Sequence, residues 1–290
     1  MKVEIFFDKN TFTATYVVFD ESTKDAVVID SVLDYDNQAS ELYDDSFKKV
    51  LSFLKEHDLK LHYILETHVH ADHLTAAPLF KDIYPQAMIV IGENIKTVQE
   101  VFKSIYNLDS VLVDGSQFDY LIKDEEVITA GSLKIKAMNT PGHTPACLTY
   151  DIEGTLFTGD ALFMPDMGTG RCDFPKGSAV DLYHSIQKIY SYPDDTVIYV
   201  GHDYAPGGRD YKFSTTVGEQ KKNNVQLKES TSLEEFSNFR SERDATLNAP
   251  KLLLPSIQVN MVAGNLPKPE NNGERYLKIP LSTKGLSNEN

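Results

Sequence analysis

The sequence is poor in cysteine, in positive charge and in long apolar runs, and each lack excludes something. Two cysteines in 290 residues, Cys147 and Cys172, cannot build a disulfide framework. Such sparse use of thiols fits a reducing compartment. Lys and Arg number 28 against 43 Asp and Glu, giving a formal net charge of −15 and a pI near 4.9. That is the wrong sign for a nucleic-acid binder, which needs a basic surface to meet phosphates. An anionic substrate therefore has to be met by a local cationic patch or a metal. No stretch approaches the roughly 18 apolar residues of a membrane span. The short apolar run around Ile5 and Phe6 is broken by Asp8 and Lys9, unlike a signal peptide. The expectation is a soluble cytoplasmic protein that binds neither membrane nor nucleic acid. Internal repeats and low-complexity tracts are also missing.

What is present is ordinary globular composition, 41% hydrophobic and 24% charged. Residues 3–7, 14–19 and 26–29 are rich in β-branched and aromatic side chains and read as a strand meander. The acidic stretch 34–45 has no periodicity and reads as an exposed loop. Phe47, Val50, Leu51 and Leu54 recur at helical spacing, so 44–57 reads as an amphipathic helix. Strands are expected at 61–66 and 88–91, with helices at 72–84 and 95–106. Further strands are expected at 126–129, 133–139, 147–152, 156–158 and 196–200. Later helices are expected at 179–192, 217–227 and 233–247, and 264–290 reads as a polar tail. Strands and helices are interspersed without strict alternation. That favours two sheets packed face to face with helices outside, over a doubly wound parallel sheet.

The strongest chemical signal is Thr67-His68-Val69-His70-Ala71-Asp72-His73, directly after an apolar strand. Three of the chain's eight histidines fall here together with an aspartate. Imidazole and carboxylate are the ligands of zinc, iron and manganese. Three later strand ends carry similar groups: His143 in a Gly/Pro turn, Asp160 after Phe157-Thr158-Gly159, and His202 after Val200-Gly201. Each is weak alone, because a turn histidine or aspartate often serves only as a local hydrogen-bond partner. Four strand ends together make a metal site, which needs several such ends to converge. His57, His62 and His184 sit on or beside helices and read as structural.

His68-x-His70-x-Asp72-His73, then His143, Asp160 and His202, resembles the metallo-β-lactamase fold family over residues 1–205. The resemblance implies an α+β fold, a four-layer αββα sandwich with the metal at one edge of its two sheets. Residues 1–250 would form the catalytic domain and 251–290 a C-terminal extension and tail. Gly168-Thr169-Gly170-Arg171, His202-Asp203-Tyr204, Leu254–Met261 and Gly264–Glu270 further resemble the persulfide (sulfur) dioxygenases, nearest the branch called β-lactamase hydrolase-like.

That second resemblance implies one iron(II) per chain on His68, His143 and Asp160, with open positions for persulfide and dioxygen. His70, Asp72, His73 and His202 would then orient those ligands, or hold a second metal. Glutathione persulfide or another low-molecular-weight persulfide would react with O2 and water to give sulfite and the thiol. Asp72 and Tyr204 are the catalytic candidates, although Tyr204 has an equal claim to be a ring packed on the rim. Arg171, Tyr204 and Arg209 are the substrate-binding candidates. For Arg171 the competing reading is an ion pair with Asp173 or Asp166. Cys172, beside Arg171, is a candidate for a lowered thiol pKa but reads as structural. The runner-up is a hydrolase of glutathione thioesters or lactones that uses zinc, one or two ions per chain. A metal-dependent persulfide sensor working through the acidic 34–45 loop is a third reading. A homodimer would fit the family.

Overall fold

Val17 and Val18 are neighbours in sequence and both fully buried, yet they belong to different cores. That is what a strand does when both of its faces are covered, because successive side chains point to opposite sides. The structure is a computed structural model and describes residues 1–283. The first part of the chain forms β1 (Lys2–Asp8), β2 (Thr13–Phe19), β3 (Asp25–Ile29), β4 (Val32–Asp36) and β5 (Glu41–Tyr43). It continues with α1 (Asp45–Glu56), β6 (Lys60–Leu65), β7 (Leu74–Thr75), α2 (Ala77–Ile83), β8 (Met88–Gly92), α3 (Ile95–Tyr106) and β9 (Tyr120–Ile122). The second part forms β10 (Val127–Ala130), β11 (Leu133–Asn139), β12 (Leu148–Ile152), β13 (Thr155–Phe157), α4 (Ala179–Tyr190) and β14 (Val197–Tyr199). β15 (Ser214–Thr216), α5 (Val217–Asn223), α6 (Leu233–Asp244) and α7 (Leu253–Asn260) follow.

One mixed sheet runs β1-β2-β3-β6-β8-β9 and a second runs β10-β11-β12-β13-β14-β15. Tyr16, Val18, Val27, Ile29 and Leu65 of the first sheet meet Ile135, Tyr150, Ile152 and Phe157 of the second. On the outer face of the first sheet, Val17, Val28 and Ile64 pack with Val50 and Leu54 of α1, Phe80 of α2, Phe102 of α3 and Ile257 of α7. On the outer face of the second, Leu156 and Ile198 pack with Leu182 and Ile186 of α4, Val217 of α5 and Phe236 of α6. Three cores between four layers make the expected αββα sandwich. Each buried Val, Leu or Ile in them contributes roughly 1.5–3 kcal/mol of transfer free energy. Among the described residues no helix is long and apolar enough to cross a membrane.

The expected loop at 34–45 is instead the β4–β5 hairpin. Val32 and Leu33 pair with Thr75 and Leu74 of β7. The acidic side chains are acceptors rather than a charged surface run: Asp34 accepts from Ser46 N and Oγ at 2.8 Å, and Asp36 accepts from Gln38 N and Ala39 N. The helix expected from residue 72 begins only at Ala77, where Pro78 suits the first helical turn. Leu74 and Thr75 form β7 and pair with β4 instead. β9, β15 and α7 were not anticipated. Residues 284–290 of the expected tail lie outside the described residues.

Candidate metal centre

β3 runs parallel to β6, and β13 runs parallel to β14, so within each sheet the C-terminal ends share an edge. Asp30, Glu66 and Thr67, Asp160, and His202 follow those four ends. His143 comes from the turn between β11 and β12. Two glycines allow the close approach. Gly159 has φ +50°, and a Cβ there would sit 2.4 Å from Thr67 Oγ1. A Cβ on Gly201 would lie 3.0 Å from Asp160 Oδ1.

The seven residues gather. The ligand atoms of His68, His143 and Asp160 lie within 4.8 Å of one another, as do those of His70, Asp72 and His73. Asp160 stands between the groups. Its Oδ2 is 3.9 Å from His68 Nε2 and 3.6 Å from His143 Nε2, while Oδ1 is 3.2 Å from His202 Nε2. His202 Nε2 is also 3.4 Å from Asp72 Oδ2.

Each histidine has one ring nitrogen facing a polar group beside the cluster. His68 Nδ1 donates to Thr67 Oγ1 at 3.0 Å, and that hydroxyl donates on to Asp30 Oδ2 at 2.8 Å. His70 Nε2 lies 3.0 Å from Asp30 Oδ1 and 3.5 Å from Glu66 Oε2. His143 Nδ1 donates to the Arg171 carbonyl at 2.7 Å, and His202 Nδ1 to the Phe12 carbonyl at 3.0 Å. His73 Nδ1 faces Asp72 Oδ2 and Thr13 Oγ1, both at 3.3 Å. An imidazole that donates through one nitrogen presents a lone pair on the other. His68 Nε2, His73 Nε2, Asp160 Oδ1 and both ring nitrogens of His70 are buried and make no hydrogen bond among the described residues, although His70 Nε2 lies within ion-pair distance of Asp30. Buried polar atoms are rarely left so. Unsatisfied imidazole nitrogens facing carboxylates, with no thiolate among them, fit a metal such as iron or zinc.

Without a metal the electrostatics divide: they favour a neutral His68 and an ionised Asp72, but protonated His70 and His202. Burial, with His70 and His143 adding to it, pushes the His68 pKa well below its ordinary value, which keeps it neutral as a ligand must be. For His70, burial opposes charge, and Asp30 and Glu66 overcome it, so its pKa is raised. Burial also opposes charge on Asp72, but His202 and His73 hold its carboxyl well below the usual range.

A cavity of about 390 Å³ opens on this centre. Asp72, His143 and Asp160 line it together with Phe12, Phe163 and Tyr204. Phe12 has φ +59°, the left-handed region that a bulky residue rarely adopts, and this bend aims its carbonyl at His202. Tyr204 stacks on His202 with ring centroids 5.9 Å apart and packs against Phe12 at 5.2 Å. Partial burial and then Asp160 and Asp72 raise its phenol pKa, so Tyr204, 41% exposed, remains a proton-bearing donor.

The other candidates divide. Arg171 lines the cavity but spends its fork on Asp173, with both contacts at 2.5 Å, and donates to the Asn248 carbonyl at 2.7 Å. Arg209 does not line it. Its guanidinium holds Asp166 and the buried Asp203 at 2.6–2.8 Å. Cys172 is buried, and its thiol pKa is pushed up to about 12 by that burial rather than lowered by Arg171. The acidic hairpin at 34–45 contributes nothing to the cavity. His62 pairs with Asp25 at 2.7 Å and His57 packs against Phe53 with the rings tilted, as structural residues do.

Sequence reasoning missed several contributors. Asp30 follows an apolar strand just as Asp160 does, so that signal was available. Thr13, Phe12 and Glu66 carry none. Asn260 ends α7, and its side-chain amide reaches the loop of ligands. Arg243 and Lys251 line the cavity as exposed cations with no ion pair among the described residues.

A model of the metallo-beta-lactamase superfamily matches residues 9–202. Glyoxylase B2 of Dictyostelium discoideum is 49% identical over 283 residues, 97% of each chain. The mitochondrial persulfide dioxygenase ETHE1 of Homo sapiens is 33% identical over 249 residues, 84% of this chain and 81% of its own. The crystal structure of ETHE1 from Myxococcus xanthus is similar with a TM-score of 0.73 at 30% identity, covering 91% of this chain and 100% of the other.

Proposed function

This chain belongs to the metallo-β-lactamase superfamily, and on that premise we propose that it is an iron(II)-dependent persulfide dioxygenase acting on glutathione persulfide. The observation that carries the reading is the triad His68, His143 and Asp160. Three ligand atoms converge from two sheets, with both imidazoles fixed from outside so that their free nitrogens face Asp160. Likeness to the human and Myxococcus ETHE1 proteins over most of the chain supports it.

An iron(II) ion on the triad would supply the electronic route to dioxygen that these side chains lack. The chain's own residues do the rest. The cavity encloses the persulfide and limits water around it. Holding both reactants on one site converts a bimolecular encounter into a positioned one. Tyr204, kept protonated beside two carboxylates, donates a hydrogen bond to an anionic sulfur or oxygen. The balance is persulfide, dioxygen and water giving thiol, sulfite and two protons. The outer sulfur is oxidised by as many electrons as dioxygen gains, and the two protons leave to solvent through the cavity.

Glutathione suits the far end of the cavity. In a chain of net charge −15, four cations line this one cavity: Arg171, Arg240, Arg243 and Lys251. Arg171 and Arg240 are neutralised by Asp173 and Asp244. Arg243 and Lys251 remain to meet the two carboxylates of the tripeptide.

A second reading rests on a specific observation, the unsatisfied His70 Nδ1 and His73 Nε2 beside Asp72. These would serve a second metal and hydrolysis of glutathione thioesters, with zinc as the metal. The name of the Dictyostelium relative, Glyoxylase B2, favours it. Metal content and oxygen uptake on one anaerobically purified sample separate the two. About one iron per chain with uptake on adding glutathione persulfide supports the dioxygenase. Two zinc ions per chain, thioester turnover and no uptake by iron-loaded protein sink it.

A further inference from the structure

The loop from Glu66 to Ala76 carries four of the seven metal-centre residues and only two residues of strand. Most of its backbone therefore lacks a ladder partner. In a buried loop each such carbonyl must find a donor elsewhere. The His70 and His73 carbonyls find the same one. Asn260 Nδ2 donates to His70 O at 2.9 Å and to His73 O at 2.7 Å, while Asn260 Oδ1 accepts from Thr75 N at 2.9 Å. An amide side chain offers two N–H hydrogens and a carbonyl oxygen, and here all three are used.

Asn260 is 4% exposed and lies 190 residues beyond His70 in the chain. It lies outside residues 9–202, where the superfamily model matches. α7 is itself held from several sides. Ile257, Val259 and Met261 are fully buried against the first sheet's helices, and Gln99 Nε2 donates to the Met261 carbonyl at 2.9 Å. The amide is thus presented from a fixed helix end onto a loop that has little structure of its own.

We infer that Asn260 is a positioning residue of the metal centre: its amide bridges the carbonyls of two ligand-bearing histidines and so fixes where the His70, Asp72 and His73 side chains stand. It touches neither metal nor substrate. Its effect passes through the peptide units flanking Asp72, and it holds for one metal or two and for either reaction. Only an amide of this length fits the role. Aspartate keeps the acceptor for Thr75 N but places a negative oxygen against two carbonyl oxygens. Alanine leaves both carbonyls buried and unpaired.

The test loads the full-length protein with cobalt(II) and follows its release to EDTA and its visible absorption spectrum. Asn260→Asp is expected to release cobalt about 10- to 100-fold faster than wild type, as loss of an outer support of a metal site does, with an altered spectrum. Gln258→Ala is the control for a weakened α7. Gln258 bonds Leu254 O and Lys278 O from the same helix and does not touch the loop. It is expected to lower Tm while leaving release and spectrum unchanged. Asn260→Ala gives the same readout without added charge if the Asp variant does not fold. Wild-type release and spectrum in either Asn260 variant would overturn the inference. So would equal acceleration in Gln258→Ala at matched Tm. Wild-type protein that takes up no cobalt would overturn the metal centre and this inference together. Cobalt binding without oxygen uptake in the iron form would remove the dioxygenase reading alone.

Discussion

The two ends of the cavity are built on different rules. At the closed end, His68, His70, His73, His143 and His202 are almost wholly buried, and each is held from outside by a backbone carbonyl, a hydroxyl or a carboxylate. His68, His143 and His202 stand just past strand ends of two packed sheets, and His70 and His73 on the loop that Asn260 braces. At the mouth, Arg243 and Lys251 stand near the end of α6 and in the segment before α7, exposed and unpaired among the described residues. Rigid sheet edges fix the geometry that the chemistry needs. Helix ends and loops carry the charge that, on the proposed function, would select what enters. Reaction and substrate are therefore separable in this fold, and substitutions at the two ends should fail differently.

The largest effect is expected at the closed end. His68→Ala removes a ligand that no neighbour can replace. Metal content should fall, and kcat/KM should drop by well over the roughly 10- to 100-fold typical of outer supports. Elemental analysis with steady-state kinetics reads both. Asp30→Asn comes next, with a loss of about 10- to 100-fold in metal affinity. Asp30 sits one step back from two ligands at once, through Thr67 to His68 and directly at His70. A competitive chelator titration measures it. An Asp30 variant with wild-type affinity would mean that the closed end is not held from behind, and the contrast with the mouth would lose its basis.

How far each end was legible in the sequence follows from the same contrast. The sandwich and the metal residues were readable because runs of β-branched and aromatic side chains mark strands locally and because three histidines within a few residues have no ordinary structural reason. The supports were not. Asn260 reaches its loop across 190 residues, and an asparagine at a helix end carries no mark of that. The acidic stretch at 34–45 misled because its carboxylates cap a turn and a helix, which removes the apolar rhythm that strands otherwise show. At the mouth the difficulty is one of pairing. Arginines look alike in sequence, and Arg171 and Arg209 differ from Arg243 only in having found aspartates. Those partners are set by tertiary structure: Asp166 is 43 residues from Arg209.

That difference in pairing gives the next prediction. Arg243→Glu should raise KM for glutathione persulfide about tenfold, the scale of one charge-assisted hydrogen bond, and leave kcat within about twofold. Added salt should shrink the gap between variant and wild type, since exposed charges are screened. Lys251→Glu should act in the same direction. Calorimetric titration with S-methylglutathione, which cannot react, reads the mouth separately from the chemistry. Equal binding by wild type and variant would remove these two cations from the substrate's path.

The smallest effect on turnover is expected at Arg209, and it marks where the mouth ends. Its guanidinium contacts Asp203 with two nitrogens and Asp166 with two. Asp203 is fully buried and also accepts from Lys212 N at 2.7 Å. Arg209→Gln leaves that carboxylate short of its counter-charge but not of every donor. The expected cost is about 1–3 kcal/mol of stability, seen as a lower Tm, with KM for the persulfide unchanged. Asp203 follows His202 directly, so a shift of its carboxylate would move the His202 ring and lower kcat rather than raise KM. A variant with normal Tm and a raised KM would place Arg209 in the substrate's path after all, and the boundary between structural and recognising cations would have to be redrawn to include it.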